Sequence, residues 1–160
     1  MERVVEKLIE QGKTVATMES CTGGGVANAI TNVPGASEVL RFSAVTYSNQ
    51  FKVIMGINPS TIDKYSVYSP EVAREMAKAI SEFTASDYGI GITGKLSRAD
   101  INNPYGLDNQ VFYSIYDREN NTYYTYNLFV DRDTRCDNKD IVIEDIEDKM
   151  IKLLSQKVKK

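Results

Sequence analysis

The spacing of apolar residues along the chain predicts alternating helices and strands. In the segment 4–9, apolar residues recur at helical spacing between charged ones, and Gly12 follows where a helix would end, so the first element is an amphipathic helix. The segment 14–18 (TVATM) predicts a buried strand. The segment 20–31 then places small residues and three glycines before apolar ones, which is typical of a tight turn from a strand into a helix. A second strand is predicted from Val39 to Tyr47.

The chain after Tyr47 carries signals for three helices, one strand and a β-hairpin. Ser69-Pro70-Glu71 supplies an N-cap, a proline at the first helical position and an acid in the first turn, which together begin a helix. The predicted elements are a short helix capped by Ser48 with Phe51, Ile54 and Met55, the helix beginning at Ser69, a strand from Tyr88 to Thr93, a hairpin of Gln110 to Tyr116 and Tyr123 to Val130 turning at 119–121, and a last helix from Asp140 to Lys157. This order predicts an α/β fold with three α/β/α layers around a mixed central sheet, in one domain over residues 1–160.

The length and composition fit one globular core. The chain has 160 residues, of which 42% are hydrophobic and 26% charged, and a domain of this size needs no disulfide or metal to hold it together. No apolar stretch approaches the roughly 18 to 20 residues of a membrane span, and the charged opening segment 1–13 lacks the apolar centre of a signal peptide. The sequence therefore predicts a cytoplasmic protein that does not enter a membrane.

The chain contains no histidine, which excludes several kinds of active site. Ser-His-Asp triads, Cys-His pairs and histidine-ligated metals are ruled out, so a catalytic base has to be Lys, Asp, Glu or Tyr. The two cysteines, Cys21 and Cys136, are too few for a cysteine-rich zinc site and are predicted to be free thiols. A net charge of −3 and a pI near 5.1 lack the basic surface of a nucleic-acid-binding protein. We expect no metal, no cofactor and no direct contact with nucleic acid.

A serine lies at the predicted turn between the first strand and the second helix. In the segment 19–25 (ESCTGGG), the strand delivers Ser20 to a glycine-rich helix start, where backbone N–H groups are placed to hold an oxyanion or a phosphate. The alternative is a glycine turn in which Ser20 or Thr22 only caps the helix. Cys21 has no histidine to generate a thiolate and is predicted to be a packed residue.

A lysine and a tyrosine follow the second predicted strand. Tyr47 ends that strand, and Lys52 lies one turn into the next helix. Because sites of open α/β sheets assemble at strand ends, both side chains are expected near Ser20. Without histidine, a buried lysine is the best candidate for the base of a serine nucleophile, since burial disfavours the charged ammonium, and the tyrosine hydroxyl is a candidate proton relay. The alternative for Lys52 is a solvated surface lysine.

The segment 89–95 (GIGITGK) is similar to two phosphate-binding motifs. It satisfies G-x-G-x-x-G and the first seven positions of a P-loop, but Leu96 stands where a P-loop has its metal-binding Ser or Thr. Alternating Ile90 and Ile92 predict a buried strand instead. The polar loop from Lys95 to Asp108 is long enough to indicate function or mobility.

Four blocks of the sequence are similar to one known family. They are 14–25 (TVATMESCTGGG), 32–37 (NVPGAS), 45–52 (VTYSNQFK) and 65–73 (YSVYSPEVA), in that order. These blocks resemble the CinA C-terminal-domain family, the nicotinamide-nucleotide amidases. The resemblance implies that the chain hydrolyses nicotinamide mononucleotide to nicotinic acid mononucleotide and ammonia, without a metal and by acyl transfer. It also implies the family's fold, a small-molecule nucleotide as substrate and a homodimer.

The resemblance also implies roles for individual residues. Ser20 would be the nucleophile, Lys52 its general base and Tyr47 a partner in the pocket, in agreement with the reasoning from the residues themselves. Arg132 belongs to a segment similar to the family's G-D-R motif, with Val130 in place of the glycine. The residues expected to bind the substrate are Thr22, Gly23, Gly24, Ser48, Asn49, Thr93, Gly94 and Arg132.

The segment 93–100 departs from the family pattern. Where the family reads T-G-x-A-G-P followed by a glycine-rich loop, this chain reads TGKLSRAD, so either the substrate differs or the site is closed. The alternative function is a protein that binds a nucleotide or a protein partner without turnover. A third hypothesis, which rests on the family's name alone, is a competence or DNA-damage accessory protein, and the acidic composition disfavours it. We also expect a stand-alone form, without the additional N-terminal domain of two-domain CinA proteins.

Overall fold

Helices and strands alternate along most of the chain. The computed structural model describes residues 1–98 and 101–157, so two loop residues and the last three residues of the expected domain lie outside it. The helices are α1 (Glu2–Gln11), α2 (Gly25–Thr31), α3 (Asn49–Ile54), α4 (Pro59–Tyr65), α5 (Pro70–Thr84) and α6 (Arg135–Lys157), with a 3-10 turn at Ala36–Glu38. The strands are β1 (Val15–Glu19), β2 (Ser43–Val45), β3 (Tyr88–Gly94), β4 (Gln110–Asp117) and β5 (Thr122–Phe129).

The five strands form one mixed sheet in the order β2-β1-β3-β4-β5. β1 lies between β2 and β3 and is parallel to both, whereas β4 and β5 are antiparallel to their neighbours and form the predicted hairpin. The register places Glu19 beside both Val45 and Ile92. The carboxyl ends of the three parallel strands therefore meet at one edge of the sheet, where the sequence predicted the site.

Helices cover both faces of the sheet. On one face, Val26 of α2 and Ile146 of α6 belong to the same apolar cluster as Ile90 of β3. On the other face, Met76 of α5 belongs to a cluster with Met18 of β1. Neighbouring residues of a strand point to opposite faces, so a sheet buried on both sides needs apolar side chains on each. The predicted α/β fold, with α/β/α layers and a mixed sheet, is confirmed.

Two glycines let α5 lie directly against β3. A Cβ added to Gly89 would come within 1.9 Å of the carbonyl oxygen of Ala77, and one added to Gly91 within 2.3 Å of the carbonyl oxygen of Ala73. No side chain fits at either position, because heavy atoms do not approach a carbonyl oxygen so closely. The glycines that suggested a phosphate loop thus serve helix packing, and a loop rather than a helix follows β3, in agreement with the prediction that this segment is not a P-loop.

Several predicted helix ends are confirmed. Gly12 ends α1 in the left-handed region at φ 61°, with its N–H donating to the carbonyl oxygens of Ile9 and Leu8. Ser69 caps α5, since its hydroxyl oxygen accepts a hydrogen bond from the backbone N–H of Val72 at 3.2 Å.

The second strand is shorter than predicted. β2 covers Ser43–Val45, whereas the sequence predicted a strand from Val39 to Tyr47. Val39 instead ends the 3-10 turn. β2 is an edge strand with β1 as its neighbour in the sheet, and β1 ends at Glu19, opposite Val45.

Two helices differ from the prediction. α4 was not predicted, although Asn58 caps it with its side-chain oxygen. α6 begins at Arg135 rather than at Asp140, because the hydroxyl of Thr134 accepts a hydrogen bond from the backbone N–H of Asp137 and supplies an earlier cap. α6 has 23 residues, but neither it nor another helix in the described ranges has an apolar stretch suited to crossing a membrane.

Candidate active site

Ser20 lies at the turn between β1 and α2. Its backbone N–H donates to the carbonyl oxygen of Ile92 at 3.0 Å, and its own carbonyl oxygen accepts from the N–H of Gly23 at 3.0 Å. Gly23 and Gly24 have φ angles of 60° and 92°, which glycine adopts without steric cost. The chain therefore reverses direction directly after Ser20, whose side chain faces a cavity.

The carboxylate of Glu19 holds this turn in place from inside the protein. Glu19 is fully buried, and its two oxygens accept hydrogen bonds from the hydroxyls of Thr17 and Thr22 and from the backbone N–H groups of Val26 and Ala27, at 2.6 to 3.0 Å. The last two donors belong to the first turn of α2, where a negative charge is favourable. Glu19 thus joins the end of β1 to the start of α2 and fixes the backbone on both sides of Ser20.

We expect Glu19→Gln to lower the free energy of unfolding by about 2 to 4 kcal/mol. Each carboxylate oxygen of Glu19 accepts two hydrogen bonds. A glutamine has one accepting oxygen and an NH2 group that cannot accept, so two of the four hydrogen bonds are lost. The measurement is urea unfolding followed by circular dichroism. Thr22→Val is the matched control, since it removes one of the four hydrogen bonds and is expected to cost about 1 kcal/mol. A Glu19→Gln effect no larger than that of the control would contradict the role of the carboxylate.

Lys52 is buried beside Ser20. It lies in α3, which Ser48 caps by accepting from the N–H of Phe51 at 3.2 Å, and its side chain is 2% exposed. The Nζ atom of Lys52 is 3.1 Å from the hydroxyl oxygen of Ser20 and donates to the carbonyl oxygen of Thr46 at 2.7 Å. A separation of 3.1 Å is within the range that direct proton transfer requires. The arrangement suits a serine nucleophile with an amine as its base.

Tyr47 lines the same cavity but contacts a different residue. Its side chain is 61% exposed, and its hydroxyl accepts a hydrogen bond from Nη2 of Arg135 at 3.2 Å. The second guanidinium nitrogen of Arg135 donates to the hydroxyl of Ser97 at 3.3 Å. Tyr47 is therefore placed as a pocket wall, and its hydroxyl contacts Arg135 rather than Ser20 or Lys52.

A cavity of about 830 Å³ opens over the Ser20 hydroxyl. The loop after β3 forms one wall, and the paired side-chain amides of Asn49 and Asn103 join this loop to α3 at 2.9 and 3.3 Å. The described residues that line the cavity are Ser20, Cys21, Tyr47, Ser48, Asn49, Lys52, Val67, Tyr68, Gly94, Lys95, Leu96, Ser97, Arg98, Asn102, Asn103 and Arg135. Such a volume is typical of a site for a small molecule.

The structure places some of the predicted binding residues at the cavity and others away from it. Ser48, Asn49 and Gly94 line it. Thr22 donates its hydroxyl hydrogen to Glu19, and Thr93 donates to the carbonyl oxygen of Val67 at 2.7 Å. The N–H of Gly23 is used within the turn rather than by a ligand. The predicted residues that do not line the cavity are Thr22, Gly23, Gly24, Thr93 and Arg132.

The segment after the hairpin holds two arginines, and Arg132, the one expected to bind the substrate, does not line the cavity. The backbone N–H of Arg132 donates to the side-chain oxygen of Asn138, and Arg132 does not line the cavity, whereas Arg135 does. Arg135 is the first residue of α6, where a positive charge is unfavourable because the helix dipole is itself positive at that end. This unfavourable placement could have marked Arg135 as a candidate, but only if the start of the helix had been known.

Cys21 is next to the nucleophile candidate but is not a second nucleophile. Burial raises the pKa of its thiol to about 12, although the positive charges of Arg135 and Lys52 oppose this shift. The thiol therefore stays protonated at neutral pH and packs as a small apolar group, as predicted. Both Cys21 and Cys136 are free. Within residues 1–98 and 101–157, no group of three or more acidic or cysteine side chains is arranged to hold a metal ion.

Comparison with known sequences identifies a family. A family model described as the CinA C-terminal domain matches residues 1–139. A CinA-like protein of Desulforapulum autotrophicum is 45% identical over 96 residues, which cover 59% of this chain and 23% of that protein. The chain thus spans about a quarter of the length of the curated relatives it matches.

Comparison with solved structures supports the fold. A competence-damaged protein (CinA) superfamily protein from Klebsiella pneumoniae has a TM-score of 0.89 and 21% sequence identity, with 97% of this chain and 95% of that chain covered. The competence/damage inducible protein CihA from Agrobacterium tumefaciens has a TM-score of 0.82 and 23% identity, with 96% and 90% covered. At these identities the likeness concerns the fold alone.

Proposed function

Because the chain belongs to the CinA C-terminal domain family, we propose that it is a serine amidohydrolase whose substrate is nicotinamide mononucleotide. The products are nicotinic acid mononucleotide and ammonia. The observation that carries this proposal is the distance of 3.1 Å between the buried Nζ atom of Lys52 and the hydroxyl oxygen of Ser20. An alcohol beside a buried amine is the arrangement that acyl transfer requires in a chain without histidine.

The reaction follows from these two side chains. Neutral Lys52 takes the hydroxyl proton as the Ser20 oxygen attacks the carboxamide carbon. The resulting ammonium gives this proton to the amide nitrogen as the C–N bond breaks, so that ammonia leaves and the acyl-enzyme remains. Water hydrolyses the acyl-enzyme with the same amine as base. The carbonyl oxygen of Thr46 accepts a hydrogen bond from the amine and so holds it beside Ser20.

The described part of the altered segment lines the cavity from Gly94 to Arg98. Leu96, one of the bulky residues in place of the family's glycine-rich sequence, is fully buried and belongs to the apolar core. Lys95 and Arg98 add positive charge to the cavity wall. A cavity of about 830 Å³ with cationic walls suits a mononucleotide, which carries a phosphate.

The purified protein is expected to release one ammonia for each molecule of nicotinic acid mononucleotide formed. Both products are measured, ammonia by a coupled enzyme assay and the mononucleotide by chromatography. Free nicotinamide and asparagine serve as competing amides. An absence of ammonia release from nicotinamide mononucleotide would overturn the substrate assignment. Ammonia release from another amide alone would identify that amide as the substrate instead.

A protein that binds the nucleotide without turnover is the second candidate. The hydroxyl of Tyr47 contacts Arg135 rather than the Ser20–Lys52 pair, and the loop after Gly94 departs from the family sequence. Calorimetric titration with nicotinamide mononucleotide separates the two functions, since heat of binding without product formation would favour the second.

The homodimer and the cytoplasmic location stay predictions. Several apolar side chains on β2 and α3 are exposed, among them Val45, Phe51 and Ile54, and exposed apolar surface of this kind is typical of protein interfaces.

A further inference from the structure

Lys95 is a buried cation at the wall of the cavity. It follows β3, lines the cavity and is 3% exposed. Its backbone N–H donates to the carbonyl oxygen of Gln110 at 2.9 Å, which continues the pairing of β3 with β4 and fixes where the side chain begins. A lysine at this depth needs compensation for its charge.

The protein compensates this charge only in part. Within the described residues, the Nζ atom of Lys95 donates one hydrogen bond, to the carbonyl oxygen of Gly106 at 3.2 Å. The carboxylate of Asp108 is 3.9 Å away, which is beyond hydrogen-bond distance, and Asp108 is itself exposed. The ring of Tyr68 lies 4.9 Å from the ammonium. An ammonium has three hydrogens to donate, so Lys95 keeps donor capacity for a ligand in the cavity.

Other cations lie around the same cavity. Arg135 and Arg98 line it together with Lys95, and none of the described lining residues is acidic. Arg135 is held by Tyr47 and Ser97 rather than by a carboxylate. A cavity whose described walls carry positive charges and no carboxylate attracts an anion.

We propose that Lys95, with Arg135, forms a subsite for the phosphate monoester of the substrate and so makes this chain specific for a nucleotide over its nucleoside. This inference rests on the proposed function and names the part of the site that selects the substrate. A phosphate monoester carries about −1.5 to −2 charges and several acceptor oxygens, which is more than one lysine neutralises.

The register of the sheet places this subsite at the same edge as the nucleophile. Glu19 pairs with Ile92, so Ser20 is level with Thr93, and Lys95 follows two residues later. Two residues of extended chain span about 7 Å. Both side chains therefore start at the same edge of the sheet and line the same cavity.

A purely structural role for Lys95 makes a different prediction. In that case its ammonium would only tie the loop to the end of β3 through Gly106 and Asp108. Loss of the ammonium would then disturb the whole cavity and weaken every ligand alike. A phosphate subsite instead affects ligands according to whether they carry the phosphate.

The experiment compares ligands that differ in the phosphate alone. Calorimetry on the Ser20→Ala protein measures binding of nicotinamide mononucleotide, nicotinamide riboside and ribose 5-phosphate without turnover. Adding Lys95→Met is expected to weaken binding of the two phosphorylated ligands about 10- to 100-fold and that of the riboside less than about 3-fold. Lys78→Met is the control for loss of one positive charge, since Lys78 lies on the exposed side of α5 beside Glu82, and it should change none of the three.

The outcomes distinguish a failure of the phosphate subsite from a failure of the proposed amidase function. Equally weakened binding of all three ligands, or unchanged binding, would overturn the subsite. Selectively weakened binding of the phosphorylated ligands, in a protein that releases no ammonia, would support the subsite and contradict the amidase proposal. If Lys95→Met does not fold, as judged by circular dichroism, Arg135→Gln decides the question. Arg135 is exposed at the start of α6, and its replacement should weaken the same two ligands selectively.

Discussion

Replacing Ser20 with alanine is expected to lower the rate of ammonia release from nicotinamide mononucleotide by on the order of 10⁴-fold or more. The hydroxyl oxygen is the atom that forms the acyl-enzyme, and Cys21 cannot substitute for it because its pKa of about 12 keeps the thiol protonated. The substitution removes a single oxygen from the edge of the cavity, so folding and binding should persist. The measurement is the initial rate at saturating substrate.

The Ser20→Ala result needs a control for serine replacement as such. Ser60→Ala serves this purpose, since Ser60 is exposed and its hydroxyl donates to the side chain of Asn58, the cap of α4, away from the cavity. This variant should keep the full rate. Retention of more than about a tenth of the rate by Ser20→Ala would show that the reaction does not pass through Ser20.

Replacing Lys52 with methionine is expected to lower kcat by about 10² to 10⁴-fold with a smaller change in KM. Methionine fills much of the same space but accepts no proton, so the Ser20 hydroxyl loses its base while the cavity keeps its shape. The measurement is kcat and KM of the variant and of the unmodified protein.

Lys52→Arg distinguishes proton transfer from electrostatics. Arginine places a permanent positive charge at this position and does not release its proton at neutral pH. If Lys52 acts as the base, this variant is as inactive as Lys52→Met. A variant that retains most of the rate would instead show that a fixed positive charge is sufficient, and the general-base role would be wrong.

The sequence predicted the architecture well because its signals are local. Gly12 ends a helix through its own backbone freedom, and Ser69 with Pro70 begins one through a cap and a fixed φ angle. The meeting of Ser20 and Lys52 was also predictable, since both follow parallel strands whose carboxyl ends share one edge of the sheet.

The rest of the site depends on contacts between segments that are far apart in sequence. Lys95 looked like part of a false phosphate motif, and its position in the cavity follows from its pairing with Gln110, fifteen residues later in the chain. Arg135 reaches the cavity only because α6 begins there. Glu19 was not singled out, since an acid at the end of a strand indicates burial only when its partners in the next helix are known.

The contrast between the two cysteines has a practical consequence. Cys21 is buried with a pKa of about 12, whereas Cys136 is exposed and adjacent to Arg135 at the mouth of the cavity. Thiol-directed dyes react with accessible thiolates, so a maleimide fluorophore should attach to Cys136 alone. The natural chain thus offers a single labelling point one residue from a cavity wall, from which the arrival of a ligand can be followed by fluorescence without engineering.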